Sequence, residues 1–231
     1  MTHHRHGAVI TGASSGIGLA TARAFIEHGY DVHGLARNFS QTQCDGLNTV
    51  EIDLSQLNEL PNKLQQFKTA PSVLVLNAGY GQFGGLEQFS HAHIEALVNT
   101  NLTCNFFLLK HFLPKMKQQG EGDIVVIGSE SSLQGAKAGA VYCATKFAVR
   151  GLAQSLRADC ATSNIRVILV NPGPVASDFF DDLNFEPHSG NAFVIEPESV
   201  AKAIVDAIAQ PRNVVVEEIN LQPLKRSFQK K

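Results

Sequence analysis

The sequence predicts one α/β domain, a doubly wound parallel sheet of about seven strands with helices on both faces. Two observations carry that expectation. Short runs rich in β-branched residues alternate with stretches of helical period along the 231 residues, and no linker or internal repeat interrupts them. Strands that follow helices so regularly need crossovers, which impose parallel pairing and one handedness. The segments rich in glycine, asparagine and serine also fall just after strand-like runs, so they should meet in one cleft at the carboxyl edge of the sheet.

Taken in order, residues 8–11 read as a strand buried on both faces, followed by a glycine turn. The next helix carries Ile17, Ala20, Ala24 and Phe25 on one side. Residues 31–36 and 49–52 are the second and third strands, and the span 38–48 between them is too short and polar for a helix. A helix is expected over 54–68 and an apolar strand over 72–76. A long helix over 92–118 should bend near Pro114, where a backbone donor is missing. The fifth strand covers 123–127, and 141–162 has Ala144, Phe147, Ala148, Gly151, Leu152 and Ser155 at helical spacing. A sixth strand over 165–170 ends at Asn171-Pro172-Gly173. Pro197 opens a helix that Pro211 stops, and 214–218 can form a last strand.

The length suits a single domain spanning 1–231, with 1–6 as a flexible terminus and 222–231 as a polar tail. Hydrophobic residues make up 44% and charged residues 17%, as expected of a compact soluble globule. The net charge of -2 gives no reason to expect a nucleic acid or an anionic membrane as partner. No apolar run approaches the roughly 18–20 residues of a membrane span, and the N-terminus lacks a secretory signal. Cys44, Cys104, Cys143 and Cys160 have no paired spacing, so free thiols in a reducing cytoplasm are expected. His3, His4 and His6 form a cluster without an acidic or Cys neighbour and read as a solvated terminus, so no metal site is expected.

Thr11-Gly12-Ala13-Ser14-Ser15-Gly16-Ile17-Gly18 joins the first strand to the first helix. Glycines let the backbone approach a ligand closely, and the helix start offers unpaired N–H groups to a diphosphate. The second strand ends at Ala36-Arg37 with no carboxylate, which favours the 2′-phosphate of NADP(H) over NAD; Ser14 could add a hydroxyl. A solvated loop charge is the other reading of Arg37. Asp53, with Leu54 after it, closes the third strand, where its carboxylate could accept from an adenine amino group, cap the next helix, or do both.

Tyr142 and Lys146 stand four apart on a helix and project from one face. A tyrosine of pKa about 10 must lose two to three units to act as a base near neutrality, roughly 3–4 kcal/mol of preferential phenolate stabilisation. The ammonium and an oxidised nicotinamide are its expected sources. Taken alone, that spacing is equally a surface pattern. Ser129 ends the fifth strand, where its hydroxyl can polarise a substrate oxygen, although with Ser131 and Ser132 it could simply serve the turn. Asn101 is a poor helix former that could hold a water between Lys146 and solvent.

In this order and spacing the motifs resemble those of the short-chain dehydrogenase/reductase family, from about Gly7 to the last strand, with its Rossmann-like fold. They are TGxxxGxG at 11–18, Asp53, Asn77-Ala78-Gly79, Asn101, Ser129, YxxxK at 142–146 and PGxVxS at 172–177. The resemblance implies a catalytic tetrad of Ser129, Tyr142, Lys146 and Asn101, with Tyr142 as general acid in reduction and general base in oxidation. It implies cofactor contacts from Gly12, Ser14, Ser15, Gly16, Ile17, Gly18, Arg37, Asp53, Leu54, Asn77, Ala78 and Gly79. Tyr142, Lys146, Pro172, Gly173, Val175 and Ser177 complete that set, Ser177 replacing the family's usual threonine. The expected protein is an NADP(H)-dependent oxidoreductase acting on a small carbonyl or alcohol, as a homodimer or homotetramer. The alternative, a catalytically silent NADP-binding sensor, is opposed by the intact tetrad.

Leu76 departs from the family's NNAG, the short segment 38–48 implies a reduced or lost peripheral helix, and the compact stretch 176–195 implies a small substrate lid. Pocket candidates are Tyr80, Phe83, Glu130, Leu133, Gln134, Phe179 and Phe180. The segment 215–223 is similar to the tail of family members acting on small hydroxy acids.

Overall fold

A computed structural model describes residues 6–231. Seven parallel strands form the sheet: β1 (Gly7–Thr11), β2 (Asp31–Ala36), β3 (Leu47–Glu51), β4 (Val73–Leu76), β5 (Gly122–Ile127), β6 (Ile165–Pro172) and β8 (Glu218–Leu221). Their spatial order is β3-β2-β1-β4-β5-β6-β8, so the winding reverses between β1 and β4. This is a Rossmann-like sheet, and the reversal opens a crevice beyond the strand ends. The remaining strands, β7 (Phe185–Pro187) and β9 (Phe228–Lys230), pair antiparallel as a separate ribbon.

Period-two alternation splits each central strand between two cores. Val9, Leu74, Ile124 and Val126 face α4 (Cys104–Gln119) and α5 (Ala140–Cys160), with Leu108, Phe112 and Val149. Ile10, Val75, Val125 and Ile127 face α1 (Gly16–Glu27) and α6 (Pro197–Ile208), with Phe25, Val200 and Ile204. Burial on both faces explains why these strands read as unbroken apolar runs. Leu76, where the family has a polar residue, is 2% exposed in the first of these cores.

Four sequence expectations are corrected. The helix over 54–68 contracts to α2 (Leu60–Leu64). Asp53 Oδ1 accepts from both the amide (2.9 Å) and the hydroxyl (2.8 Å) of Ser55, making a turn, and Pro61 is tolerated only in a first helical turn. The helix over 92–118 divides into α3 (His91–Val98), a π-helical turn at Asn99–Thr103 and α4, which runs through Pro114. The last strand shifts from 214–218 to β8: Arg166 takes the Val214 carbonyl at 3.2 Å, and backbone bonding to β6 begins only at the Glu217 carbonyl, which accepts from the Leu169 amide at 3.0 Å. The polar tail 222–231 contains β9, which has a partner in β7.

On α5 the small-residue stripe faces outwards. Ala144, Phe147, Ala148, Gly151 and Ser155 are exposed, whereas Tyr142, Cys143, Lys146, Val149 and Ala153 are buried. No helix among the described residues is long and apolar enough to cross a membrane. All four cysteines are unpaired, and three are buried. His3 and His4 lie outside the described residues; the His6 ring meets the Ser72 hydroxyl at 3.2 Å.

Candidate active site

The switch in strand order opens a cleft of about 1220 Å³ that runs from Arg37 past the glycine loop to the C-terminal ribbon. Gly12, Ser14, Ser15, Gly16 and Ile17 form one side, with positive φ at Gly12 (66°) and Gly16 (51°). Ser15 precedes α1 without capping it through its side chain, and the first turn holds no acidic residue. The helix start therefore offers its amides and positive dipole end to an anion. Gly18 lies beneath this surface: a Cβ there would stand 2.1 Å from the Gly12 carbonyl oxygen, so glycine is required for helix and loop to touch.

Thr11 joins this loop to the next. Its hydroxyl accepts from the amides of Asn77 (2.9 Å) and Ala78 (3.0 Å), and Asn77 Nδ2 donates to the Thr11 carbonyl (2.8 Å). A Cβ on Gly79 would come 3.2 Å from Asn101 Oδ1 and 3.6 Å from Lys146 Nζ, so glycine keeps the cleft open beside the lysine. Arg37, exposed, and Asp53 with Leu54 line the far end. Burial alone would raise the Asp53 pKa, but the Ser55 bonds and the Arg37 charge outweigh it and hold the carboxyl below its ordinary value. Asp53 caps no helix. Pro172, Gly173, Val175 and Ser177 line the opposite wall, and a Cβ on Gly16 would touch the Ser177 side chain at 3.2 Å.

These surfaces fit a dinucleotide: a glycine loop and helix start for a diphosphate, an arginine at one end, and the Ser129, Tyr142 and Lys146 cluster at the other.

Ser129, Tyr142 and Lys146 converge on the cleft, and all three are buried. Ser129 opens a 3₁₀ turn, Glu130–Ser132, accepting from the Ser131 amide (3.1 Å), while its own amide donates to the Ser132 hydroxyl (3.0 Å). Ser129 thus belongs both to the turn and to the cluster with Tyr142 and Lys146. Lys146 Nζ donates to the Ile127 carbonyl at 3.0 Å and lies 5.9 Å from the Tyr142 ring centre. Burial pulls the Lys146 pKa down to about 8.

The lowering expected for Tyr142 is reversed in the protein alone. Burial pushes its pKa up to about 12; the Ser129 hydroxyl opposes that rise, and Cys143 and Glu130 add to it. The reason is the aromatic packing, with Phe83 at 5.2 Å and Phe179 at 5.8 Å between ring centres. Asn101 lies under the cleft rather than in its wall, 1% exposed. Its side chain accepts from the Tyr80 amide and donates to the Tyr80 carbonyl, each at 3.0 Å, and donates to the Thr145 hydroxyl at 3.3 Å. It thereby ties the loop after β4 to α5, and makes no direct bond to Lys146. Asn101 stands within the π turn.

Tyr80, Phe83, Glu130, Phe179 and Phe180 line the cleft, whereas Leu133 and Gln134 do not. Phe185, Arg226 and Phe228 also line it and were missed. A lone phenylalanine in a lysine-rich tail carries no strand periodicity, so no local signal marked β9.

A family model described as short chain dehydrogenase matches residues 6–187. Sepiapterin reductase of Chlorobaculum tepidum is 30% identical, over 97% of this chain and 99% of that protein. An alcohol dehydrogenase from Thermococcus sibiricus, solved with 5-hydroxy-NADP, superposes with a TM-score of 0.83 at 29% identity, covering 97% of this chain and 99% of that one. Serine dehydrogenase from Escherichia coli gives a TM-score of 0.82 at 25% identity, covering 96% and 99%. With the model spanning most of the chain and these relatives matching it nearly end to end, the protein belongs to the short-chain dehydrogenase/reductase family of NAD(P)-binding oxidoreductases.

Proposed function

We propose that this protein is an NADP(H)-dependent reductase of carbonyl compounds, able to oxidise the corresponding secondary alcohols, with Tyr142 as its general acid and base. The observation that carries this reading is the buried convergence of Tyr142, Ser129 and Lys146 on a cleft whose other end is the glycine loop. In that arrangement the Ser129 hydroxyl orients the substrate oxygen, and Tyr142 Oη delivers or removes its proton. Lys146 Nζ favours the phenolate by its charge and is available to a ribose hydroxyl. Asn101 positions the Tyr80 loop and α5. The nicotinamide, when bound, supplies or accepts the hydride.

Gly12, Ser14, Ser15, Gly16 and Ile17 would hold the diphosphate, with Gly18 permitting their approach. Asp53 and Leu54 would meet the adenine, Asn77, Ala78 and Gly79 the central ribose, and Pro172, Gly173, Val175 and Ser177 the nicotinamide. Arg37 supports NADP(H): it is an exposed cation at the end of β2. The alcohol dehydrogenase solved with an NADP derivative is consistent with that choice. Arg37→Ala should weaken NADPH binding by roughly ten- to a hundredfold, as for loss of charge-assisted hydrogen bonds, with NADH little affected. Equal affinity for NADH and NADPH in the unaltered protein, or an unchanged NADPH affinity in the variant, would overturn the preference.

The outward face of α5 supports association with a second copy, because Phe147 (45% exposed) lies beside Ala144, Ala148 and Gly151 with room for close helix approach. Light scattering at micromolar concentration should give the mass of a dimer or tetramer; a monomeric mass contradicts it. Four unpaired cysteines fit a reducing cytoplasm.

A further inference from the structure

We infer that the C-terminal strand β9 is the outer wall of the substrate pocket, and that this wall selects an uncharged carbonyl compound with a flat apolar body, such as an aryl ketone. The inference rests on the proposed carbonyl chemistry and narrows its substrate.

An unbroken series of ring contacts leads from the reactive tyrosine to the tail. Phe83 packs on Tyr142 at 5.2 Å and on Phe185 of β7 at 5.1 Å, and Phe185 meets Phe228 of β9 at 5.8 Å. On the other side, Phe179 lies 5.8 Å from Tyr142 and 5.1 Å from Phe180, which reaches Phe228 at 6.3 Å. All of these rings line the cleft. The two arms touch each other at Phe180 and Phe185, 6.1 Å apart, and Phe228, 38% exposed, packs on both rings at the outer end. All six contacts are edge-on or tilted, and aromatic rings favour edge-to-face over face-to-face sandwich partners.

The charges near this wall do not suit a carboxylate. Arg226 is paired with Glu130 Oε2 at 3.1 Å, which ties the tail to the turn beside Ser129. Lys231 is held by the carbonyls of Phe180 and Asp181. Asp178, Asp181 and Asp182 line the same half of the cleft and are exposed, against the exposed cation Lys137. An anionic substrate would face more acid than base, while a neutral flat one gains the rings. The small hydroxy acids suggested by the similarity of segment 215–223 are disfavoured by this geometry.

Diacetyl and its phenyl analogue carry the same reacting diketone and differ only by methyl against phenyl. With NADPH, kcat/KM for the phenyl analogue should exceed that for diacetyl by at least roughly tenfold. Phe228→Ala should cut that ratio by about threefold to tenfold. Phe228→Leu, which keeps the apolar bulk of the strand, should cut it less, and NADPH titration of both variants reports whether the cleft is intact. A ratio near one in the unaltered protein overturns the inference. So does an unmoved ratio in both variants with NADPH binding retained, or faster turnover of serine or 3-hydroxybutyrate with NADP+. If no carbonyl compound is reduced with either cofactor, the functional reading falls and this inference with it. A preference for diacetyl or the hydroxy acids sinks this inference alone.

Discussion

Replacing Tyr142 by phenylalanine is expected to lower kcat for carbonyl reduction by about 10²–10⁴-fold, the usual scale for loss of a positioned acid. The fold should survive, because the ring that packs on Phe83 and Phe179 is retained and only the hydroxyl is lost. NADPH affinity and the thermal midpoint are thus controls that should hardly move. The pH dependence follows from the same residue. With its pKa pushed up to about 12, Tyr142 holds its proton at neutrality and is ready to donate in the reductive direction. Reduction should stay flat with pH up to about 8, above which Lys146 loses its charge. Alcohol oxidation needs the phenolate, so its rate should climb with alkalinity across the same range. Residual activity above a tenth in Tyr142→Phe, or oxidation that falls as pH rises, would remove Tyr142 from the chemistry.

The largest effect on stability is expected far from the cleft. Asp123, at the start of β5, binds Arg166 through both oxygens (2.6 and 3.1 Å) and Arg212 at 3.0 Å. Arg166 is 4% exposed and also donates to the carbonyls of Ile208, Gln210, Pro211 and Val214. This cluster fastens the chain after α6 to the N-terminal ends of the interior strands β5 and β6. Asp123→Ala leaves a buried guanidinium without its counter-charge, a loss of about 3–5 kcal/mol. At roughly 2–4 °C per kcal/mol for a chain of this size, the thermal midpoint should fall by about 6–20 °C. Asp123→Ala with Arg166→Met should recover part of that fall, because no unpaired charge then remains buried. A midpoint within about 2 °C of the parent in Asp123→Ala would show that the carboxylate is not what holds Arg166.

The Asp123 cluster went unrecognised in the sequence because its members lie 43 and 89 residues apart and no local pattern links them. The same distinction runs through the site. Gly12, Gly16 and Gly18 announce a tight loop because positive φ and close backbone approach are local demands that glycine meets best. Tyr142 and Lys146 announce a shared face because helical spacing is local too. Asp53 misled because a cap and a turn use the same side chain, and only the pairing with Ser55 chose the turn. Val214 and Val215 misled because a run of valines favours a strand without saying whether a neighbour lies within reach.

By itself the sequence determined the alternation of strands and helices, the parallel winding, the position of the glycine loop, and the grouping of Ser129, Tyr142 and Lys146 near one edge. Each follows from periodicity, turn chemistry or chain topology, which neighbouring residues specify. The tertiary structure alone decided which side of α5 is buried, that Asn101 braces the Tyr80 loop, that Phe228 of β9 lines the cleft, and that burial raises the Tyr142 pKa. Burial and long-range pairing control those features: the phenol's pKa is raised by burial, and the rings packed against it, Phe83 and Phe179 among them, arrive only when the whole chain has folded.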